Sequence, residues 1–370
     1  MARSKGGQLL ALAGVATLML AAAACGGNDS SGSGSGSDTT KVGVILPDEK
    51  TSPRWEANDR PALEKAFTDA GLESDIQNAG GDVAKFGTIC DGMINEGVSV
   101  LMIVNLDSDS GGACLKKATA AGIKSIDYDR LTLGGGASYY VSFDNVKVGG
   151  LMGTGLTKCL DAMGKKQANI VFIDGDPTDN NAALFKQGYS DELKPKISSG
   201  DYTLVGDQTG KWDPDVAAKA FEQLYTQNNG KIDGVVSAND TMAGGIIAIL
   251  AKNGLAGKVP VTGQDASVEG LQRLLAGTQC MTVYKNIALE ADAASKLAIA
   301  VANGDTAAAD ALATGSVMDT ELNQPVKSAL ATPEAIYQDT VKKVIADGFQ
   351  TKADVCTGDF AAMCTKYGVE

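Results

Sequence analysis

The sequence predicts an α/β protein built from two doubly wound parallel-sheet lobes. Apolar runs bounded by turn residues alternate with helical patterns along most of the 370 residues. That length suits about two domains, each large enough for its own core. About eight strands in repeated β–α order favour parallel sheets that helices cover on both faces. A single eight-stranded barrel is the alternative fold.

The predicted elements alternate in chain order. Short apolar runs between turn residues give the strands Val42–Leu46, Val98–Val104, Lys124–Asp129, Asn169–Asp174, Tyr202–Gly206, Gly234–Ser237, Val259–Gly263 and Cys280–Tyr284. Longer segments with apolar residues three and four apart give helices that include Ala62–Ala70, Ala84–Asn95, Ala113–Ala121, Asp213–Gln227 and Thr241–Asn253. Gly150 to Gly155 lacks the spacing of a dinucleotide site and predicts close helix packing. Asp107 to Gly111 lacks the later Glu of a calcium loop and predicts a helix cap.

The amino-terminal segment predicts export. Residues 1–24 have a basic start and an apolar stretch that ends in small residues, as in a signal peptide. The end of this stretch, Ala22 to Cys25, resembles a bacterial lipobox, so we expect Cys25 to be lipidated and to anchor the chain to the outer face of the cell membrane. Residues 25–39 then form a Gly/Ser-rich tether. The alternative is an ordinary signal peptide in which Cys25 is incidental.

The composition excludes several functional classes. The net charge is −13 from 32 basic and 45 acidic residues, which argues against a nucleic-acid partner. The chain contains no histidine, which excludes a Ser-His-Asp triad and His-ligated metal sites. We therefore expect no metal and no cofactor. A GxxxxGK[ST] motif is also absent from the sequence, so any ATPase must be a separate chain.

Six cysteines remain after Cys25, and an even number in an exported chain favours disulfides. Cys90 and Cys114 lie in successive predicted helices and can meet, while Cys356 and Cys364 bracket a short loop. Cys159 and Cys280 are the remaining pair. The alternative is that these residues are free, buried thiols.

Polar and aromatic side chains follow the carboxyl ends of the predicted strands, where open parallel sheets bind ligands. They are Arg54, Trp55, Asp129, Arg130, Asp179, Asn180, Asn181, Trp212, Asn239, Asp240, Gln264, Asp265 and Lys285. Amide, carboxylate and guanidinium groups bind neighbouring hydroxyls, and an indole face covers the C–H face of a sugar ring. This set predicts a site for a small neutral polyol.

Each of these residues also has a purely structural interpretation. Asn239 or Asp240 could be a helix N-cap. Asp129 and Arg130 could form a surface ion pair. Either tryptophan could pack in a core. For Trp212, we expect Trp212→Ala to separate stacking on a ligand from core packing.

Seven segments resemble the xylose-binding branch of the ribose/galactose-type periplasmic binding proteins of bacterial ABC sugar import. They are RWEANDR (54–60), YDR (128–130), YYVSFDNVKVG (139–149), DNNAALF (179–185), KIDGVVSANDTMAGG (231–245), LAGKVPVTGQDA (255–266) and AGTQCMTVYK (276–285). The resemblance implies two Rossmann-like lobes joined by a three-segment hinge, with a ligand in the cleft. It implies a first lobe of 40–143 plus 283–316, and a second lobe of 144–282 plus 317–370, which includes the tail. It also implies sugar contacts from Arg54, Trp55, Asp129, Arg130, Asp179, Asn181, Trp212, Asn239, Asp265 and Lys285.

The same resemblance implies a function. We expect an extracytoplasmic, monomeric solute-binding lipoprotein that captures a monosaccharide, D-xylose, and delivers it to the transmembrane subunits of an ABC permease with a separate ATPase chain. One alternative is the ligand-binding protein of a sugar sensor or chemoreceptor. Another is an exported carbohydrate-active enzyme that uses Asp129 with Asp179 or Asp265 as a carboxylate pair.

Overall fold

The computed structural model describes residues 40–369. The predicted signal peptide, Cys25 and the Gly/Ser tether lie outside the described residues. No helix between residues 40 and 369 has both the length and the apolar composition that a membrane crossing requires.

Strands and helices alternate along the described chain. The strands are β1 Lys41–Leu46, β2 Glu73–Asn78, β3 Val100–Ile103, β4 Lys124–Tyr128, β5 Tyr139–Phe143, β6 Ala168–Asp174, β7 Tyr202–Thr209, β8 Gly234–Ser237, β9 Thr282–Tyr284, β10 Gly315–Asp319, β11 Gln324–Ala331 and β12 Glu334–Ile336. The helices are α1 Arg60–Asp69, α2 Val83–Asn95, α3 Ser108–Ala120, α4 Asn145–Ala162, α5 Asn180–Ser198, α6 Pro214–Gln227, α7 Asp240–Lys252, α8 Val268–Leu275, α9 Ile287–Ala302, α10 Thr306–Leu312, α11 Val341–Ala346, α12 Lys352–Val355 and α13 Phe360–Lys366. A π-helical turn, Trp55–Asp59, leads directly into α1.

The strands form open sheets, which rules out the single barrel. The larger sheet has the order β10-β11-β5-β4-β3-β1-β2 and is parallel except that β10 runs antiparallel to β11. The smaller parallel sheet has the order β7-β6-β8. Isolated bridges from Val235 to Val261 and from Gln264 to Val283 continue it towards the antiparallel pair β9 and β12. The predicted strand Val259–Gly263 contributes only such a bridge.

Each sheet has its own buried core. In the larger sheet, the four residues of β3 are all buried, and α9 supplies alanines against strands β1 and β3. In the smaller sheet, β6 and β8 pack beneath α4, α5 and α7. A Cβ at Gly149 would collide with the backbone of Phe185, so a glycine here lets α4 and α5 approach closely. The predicted helix cap is also present, because Asp107 accepts a hydrogen bond from the Ser110 N–H at the start of α3.

The chain crosses between the two sheets three times. The crossings follow β5, β9 and β11. The predicted boundary that placed residues 317–370 in the second lobe is wrong for residues 317–331. Residues 328–331 of β11 pair with 140–143 of β5, so the β10–β11 hairpin lies in the larger sheet. The later tail, from α11 onward, packs against α8 beside the smaller sheet.

Three disulfides join the pairs that the sequence predicted. Cys90 in α2 pairs with Cys114 in α3, with their Cα atoms 5.9 Å apart. Cys159 in α4 pairs with Cys280, and their Cα atoms are 6.4 Å apart. Cys356 and Cys364, 5.8 Å apart at Cα, tie α12 to α13. The first bridge fastens two helices of the larger sheet, the second joins a helix to the segment before β9, and the third closes the tail.

Candidate functional site

A buried cavity lies where the carboxyl ends of strands from both sheets meet, and all ten predicted site residues line it. The cavity is small, because the volume that the centre of a water molecule can occupy inside it is about 30 Å³. We call Arg54, Trp55, Asp129, Arg130 and Lys285 the first wall. We call Asp179, Asn181, Phe185, Trp212, Asn239, Gln264 and Asp265 the second wall.

Arg54 is the centre of the first wall. Its guanidinium donates to both carboxylate oxygens of Asp59, at 2.6 and 2.8 Å. It also donates to Asp129 Oδ2 at 2.7 Å and to Glu290 Oε2 at 2.9 Å. The π-helical turn places Asp59 five residues after Arg54 on the same face. The Tyr128 hydroxyl also donates a hydrogen bond to Asp59, at 2.8 Å.

The pKa values of the carboxyl groups around Arg54 are shifted in opposite directions. Burial acts to raise the pKa of Asp129, but Arg54, Lys285 and Arg130 outweigh it and hold that pKa well below its usual range. Burial raises the pKa of Asp59 despite the attraction of Arg54. Burial and the nearby Asp129 charge raise the pKa of Glu290 further. The three neighbouring cations therefore favour the ionised form of Asp129.

Two more cations complete the first wall. Lys285 Nζ lies 3.4 Å from Asp129 Oδ2 and 3.7 Å from Asp265 Oδ1, so it faces both walls. Arg130 Nε lies 3.1 Å from Asp179 Oδ2, across the cavity. The prediction that Asp129 and Arg130 could be a surface ion pair is wrong, because both are buried and Arg130 pairs with Asp179.

Trp55 packs its ring against two guanidinium groups. The Cζ atoms of Arg54 and Arg130 lie 4.3 and 5.5 Å from the ring centroid. These cation–π contacts fix the plane of the indole at the cavity surface.

The second wall combines structural and lining roles in the same residues. Asp179 caps α5 and Asn239 caps α7, and both side chains line the cavity. The Trp212 Nε1–H donates to Asp179 Oδ2 at 3.2 Å, and its ring meets Phe185 edge to face. Burial raises the pKa of Asp179, although Arg130 opposes this shift. Asn239 therefore both caps a helix and lines the cavity, and Trp212 both packs in the core and lines the cavity, while their contact with a sugar stays a prediction.

Several cavity residues have left-handed backbone. The φ angles are +60° at Asp129, +60° at Trp212 and +99° at Asp265, and Ala266 follows with +48°. Such conformations cost about 1–3 kcal/mol each in residues other than glycine and persist where surrounding contacts hold them. They occur at the turns that follow strands and direct those side chains towards the cavity.

Three buried polar atoms of the lining have no hydrogen-bond partner within residues 40–369. They are the donor Trp55 Nε1 and the acceptors Gln264 Oε1 and Asp265 Oδ1. Buried polar atoms are nearly always paired, so an unpaired set at one cavity points to a ligand. A ligand with hydroxyl groups meets both kinds of atom, because a hydroxyl donates and accepts.

The segment just before Arg54, residues 50–52, contacts the opposite side of the cavity directly. Ser52 Oγ donates to Asp265 Oδ2 at 3.0 Å, and Asn239 Nδ2 donates to the Thr51 carbonyl at 3.1 Å. Lys50 forms an ion pair with Asp213 at the rim. The structure therefore has its cleft closed.

Sequence reasoning missed part of the lining and its support. Thr51, Ser52 and Phe185 also line the cavity, as does Gln264, which follows a predicted strand but was not among the expected sugar contacts. Asp59 and Glu290 support Arg54 from helical segments, where an acidic residue resembles any solvated one. The position of Gln264 beside Asp265 was the signal that could have found it. Among residues 40–369, no group of His, Cys, Asp or Glu side chains is arranged to hold a metal ion.

Comparisons with known proteins agree on one family. A family profile described as "Periplasmic binding protein domain" matches residues 42–306. The chain is 38% identical over 317 residues to the D-xylose-binding periplasmic protein of Escherichia coli (strain K12), covering 85% of this chain and 92% of that protein. It is 32% identical over 336 residues to the multiple sugar-binding periplasmic receptor ChvE of Rhizobium radiobacter, covering 86% of this chain and 92% of that protein.

Solved structures extend the similarity to the fold. An ABC transporter solute-binding protein from Clostridium phytofermentans with bound β-D-glucose superposes with a TM-score of 0.75 at 29% identity. The match covers 85% of this chain and 99% of that chain.

Proposed function

This chain belongs to the periplasmic binding protein family, and we propose that it captures D-xylose outside the cytoplasmic membrane and delivers it to an ABC permease. The proteins that it resembles are extracytoplasmic sugar-binding proteins. The permease subunits and the ATPase are separate chains in this proposal, and the binding protein acts as a monomer.

The observation that carries the proposal is the set of unpaired polar atoms in a cavity with aromatic walls. Trp55 Nε1, Gln264 Oε1 and Asp265 Oδ1 match a neutral ligand with several hydroxyls. The rings of Trp212 and Phe185 supply an apolar side for the C–H face of a sugar. The small cavity favours a pentose over a hexose, because xylose lacks the exocyclic CH₂OH of glucose.

Calorimetric titration against D-xylose, D-ribose, L-arabinose and D-glucose tests the proposal. We expect D-xylose to bind most tightly, by at least tenfold over glucose, because one group of methylene size is worth about 1–3 kcal/mol in a fitted pocket. Lys296→Ala, an exposed ion-pair residue of α9, is the control and should leave the titration unchanged. Tighter binding of glucose than of xylose would overturn the choice of sugar.

Closure of the cleft is the proposed mechanism. Because contacts such as Ser52–Asp265 and Arg130–Asp179 join the two walls, a sugar held by both walls stabilises the closed state. Small-angle scattering should show a smaller radius of gyration when saturating D-xylose is added. An unchanged radius would contradict the mechanism while leaving binding itself intact.

The charges of the site support binding rather than catalysis. Asp129 is engaged by Arg54 and Lys285, and Asp179 by Arg130 and Trp212. A carboxyl group held ionised by two cations is a poor general acid. We propose that the sugar is released unchanged, and sugar recovered by chromatography after long incubation checks this. Conversion to a product would favour the exported-enzyme alternative.

A sensory role is the second candidate, because one relative is named a receptor. The two roles differ in the partner. A sensor protein would bind a receptor subunit, and its deletion would leave D-xylose uptake unchanged. Loss of radiolabelled D-xylose uptake on deletion of this chain would support transport.

We also propose that Cys25 carries the lipid that anchors the chain. The sequence before it resembles a lipobox, and the following Gly/Ser stretch gives a flexible tether. Cys25→Ala should move the protein from the membrane fraction to the soluble extracytoplasmic fraction. Unchanged membrane association of Cys25→Ala would contradict the anchor.

A further inference from the structure

Asp240 is a buried carboxylate that lies behind the second wall and does not line the cavity. Its Oδ1 accepts a hydrogen bond from Gln279 Nε2 at 2.6 Å. Its Oδ2 accepts from the Ser267 backbone N–H at 3.0 Å and from Thr282 Oγ1 at 3.1 Å. Three donors, one from the start of α8 and two from the segment that leads into β9, therefore converge on one side chain.

The surroundings of Asp240 are built for a carboxylate. A Cβ at Gly263 or Gly270 would collide with its oxygens, so both positions leave room for it. Arg273 Nη2 donates to the Asp240 carbonyl at 2.6 Å, and Arg273 Nε donates to Gln279 Oε1 at 2.9 Å. That second bond orients Gln279 with its amide N–H groups towards Asp240. Burial still raises the pKa of Asp240 to about 6, with Arg273 and Gln279 opposing the shift.

This network holds the turn that carries Asp265. Thr282 Oγ1 accepts from the Ala266 N–H at 3.2 Å and donates to Asp240 Oδ2. The next amide, Ser267 N–H, binds Asp240 directly. The two amides that follow Asp265 are therefore tied to one carboxylate, and they border the residues with φ of +99° and +48°. These ties act together with the Asp265 N–H bond to the Val283 carbonyl, at 2.9 Å, and the Gln350 Nε2 bond to the Ala266 carbonyl, at 3.3 Å, to offset the cost of that left-handed backbone.

We propose that Asp240 and Thr282 are positioning residues for the sugar site. They hold Asp265 in its left-handed turn, so that its unpaired Oδ1 faces the cavity. This inference rests on the proposed function, because it takes Asp265 to be a sugar contact.

Thr282→Val is the primary variant, since it keeps the side-chain shape and removes only the hydroxyl that links Ala266 to Asp240. We expect the Kd for D-xylose to rise about fivefold, the effect of losing one hydrogen bond. Thr282→Ser restores the hydroxyl and should return the Kd to within about twofold of the original. Thr262→Val is the matched control, because Thr262 is equally buried and its hydroxyl binds only the backbone of Ser237.

A double-mutant cycle separates positioning from general stability. If Thr282 acts through Asp265, then Thr282→Val should weaken binding in the original chain but add nothing in an Asp265→Ala background. Equal fold losses in the two backgrounds would overturn the proposal. So would an unchanged Kd in Thr282→Val, or a loss of affinity in Thr262→Val that matches it.

Hydrogen–deuterium exchange gives a test that needs no sugar. Faster exchange in the peptide that covers residues 263–270, in Thr282→Val but not in Thr282→Ser, supports the network. Unchanged exchange there would overturn it. Absence of any sugar binding by the original chain would refute the proposed function instead, and the exchange measurement would still decide whether Asp240 and Thr282 hold the turn.

Discussion

The two walls of the cavity border the same space in opposite ways. In the first wall, the charged atoms of Arg54 and Asp129 are satisfied by protein partners, including Asp59, Glu290 and Lys285. In the second wall, the acceptors Gln264 Oε1 and Asp265 Oδ1 have no hydrogen-bond partner among residues 40–369, whereas the one such lining atom of the first wall is the donor Trp55 Nε1. We infer that the first wall gives the site its shape, while much of the sugar affinity comes from the second.

The difference follows from the cost of burying charge. A buried ion pair offsets the loss of hydration only when its remaining hydrogen bonds are made, so the ion pairs around Arg54 have to be complete before a ligand arrives. An unpaired neutral or carboxylate oxygen costs less while water can reach it in an open cleft. The second wall can therefore keep its acceptors for a ligand.

The largest expected effect is the loss of Arg54. Arg54→Met leaves Asp59, Asp129 and Glu290 buried without their shared cation, so the free energy of unfolding should fall by about 3–5 kcal/mol. Urea denaturation without sugar measures it. Lys65→Met is the control, because Lys65 pairs with Asp69 on the exposed surface of α1 and its loss should cost about 0–1 kcal/mol. A stable Arg54→Met protein that binds no sugar would show that the first wall acts mainly through the ligand.

Asp265 tests the second wall. Asp265→Ala should raise the Kd for D-xylose at least tenfold, because it removes an acceptor in a site screened from water. Asp265→Asn should weaken binding too, while its melting temperature stays closer to the original, since asparagine tolerates left-handed backbone better than alanine. Titration and thermal melting of both variants make the comparison. Unchanged affinity in both would contradict the assignment of Asp265.

Trp212 should have a smaller effect, and the structure changes which variant is informative. Trp212→Ala would open the core around Phe185 whether or not the ring touches sugar. Trp212→Phe keeps an aromatic ring and removes the hydrogen bond to Asp179. We expect the preference for D-xylose over D-glucose to fall several-fold, with a loss of stability near 1 kcal/mol. An unchanged preference would assign Trp212 to packing alone.

The smallest expected effect compares two carboxyl groups at the end of β4, Asp127 within the strand and Asp129 directly after it. Burial raises the pKa of Asp127 to about 7, although Thr132 donates two hydrogen bonds to this carboxyl group. The pKa of Asp129, in contrast, is lowered. A raised folded-state pKa means that the native chain holds its proton more tightly than the unfolded chain. The stability from Asp127 is therefore complete below the unfolded pKa near 4 and is lost as pH rises through about 7.

The melting temperature of the ligand-free protein tests this sign. It should fall by a few degrees between pH 5 and pH 8, and Asp127→Asn should reduce that fall. Asp240, with a pKa raised to about 6, acts in the same direction. A melting temperature that rises across this interval would contradict the shift at Asp127.

The sequence predicted the alternation of strands and helices better than it predicted the edge strands of the larger sheet. Buried central strands such as β1 and β3 are continuous apolar runs, and such runs can be recognised as strands from the sequence. β2 reads ESDIQN and is only half-buried, so it lacks that signal. β10 and β11 form an antiparallel hairpin at the opposite edge, where alternating exposure replaces a continuous apolar run. The return of this hairpin to the larger sheet depends on its pairing with β5, which no local pattern records.

The lining of the cavity was predictable because parallel strands bring their carboxyl ends to one edge. That rule, with the family resemblance, reached every one of the ten named residues. The same rule does not identify Asp59, Glu290 or Thr282. These residues belong to helical segments and a strand, and they contact cavity-lining residues without lining the cavity themselves. Their role depends on side-chain direction across elements far apart in the chain.

The discontinuous lobes set the order in which this protein can be completed during synthesis. Strands β1 and β3 are made early, but the apolar face that they share is covered by α9 and α10, which extend the core to Ala313. The outer strands of the same sheet, β10 and β11, are made later still. During synthesis from the amino terminus, the larger sheet therefore stays incomplete until the last fifth of the chain appears. The smaller sheet, whose strands β6, β7 and β8 follow one another in the chain, can assemble before the larger sheet that began earlier.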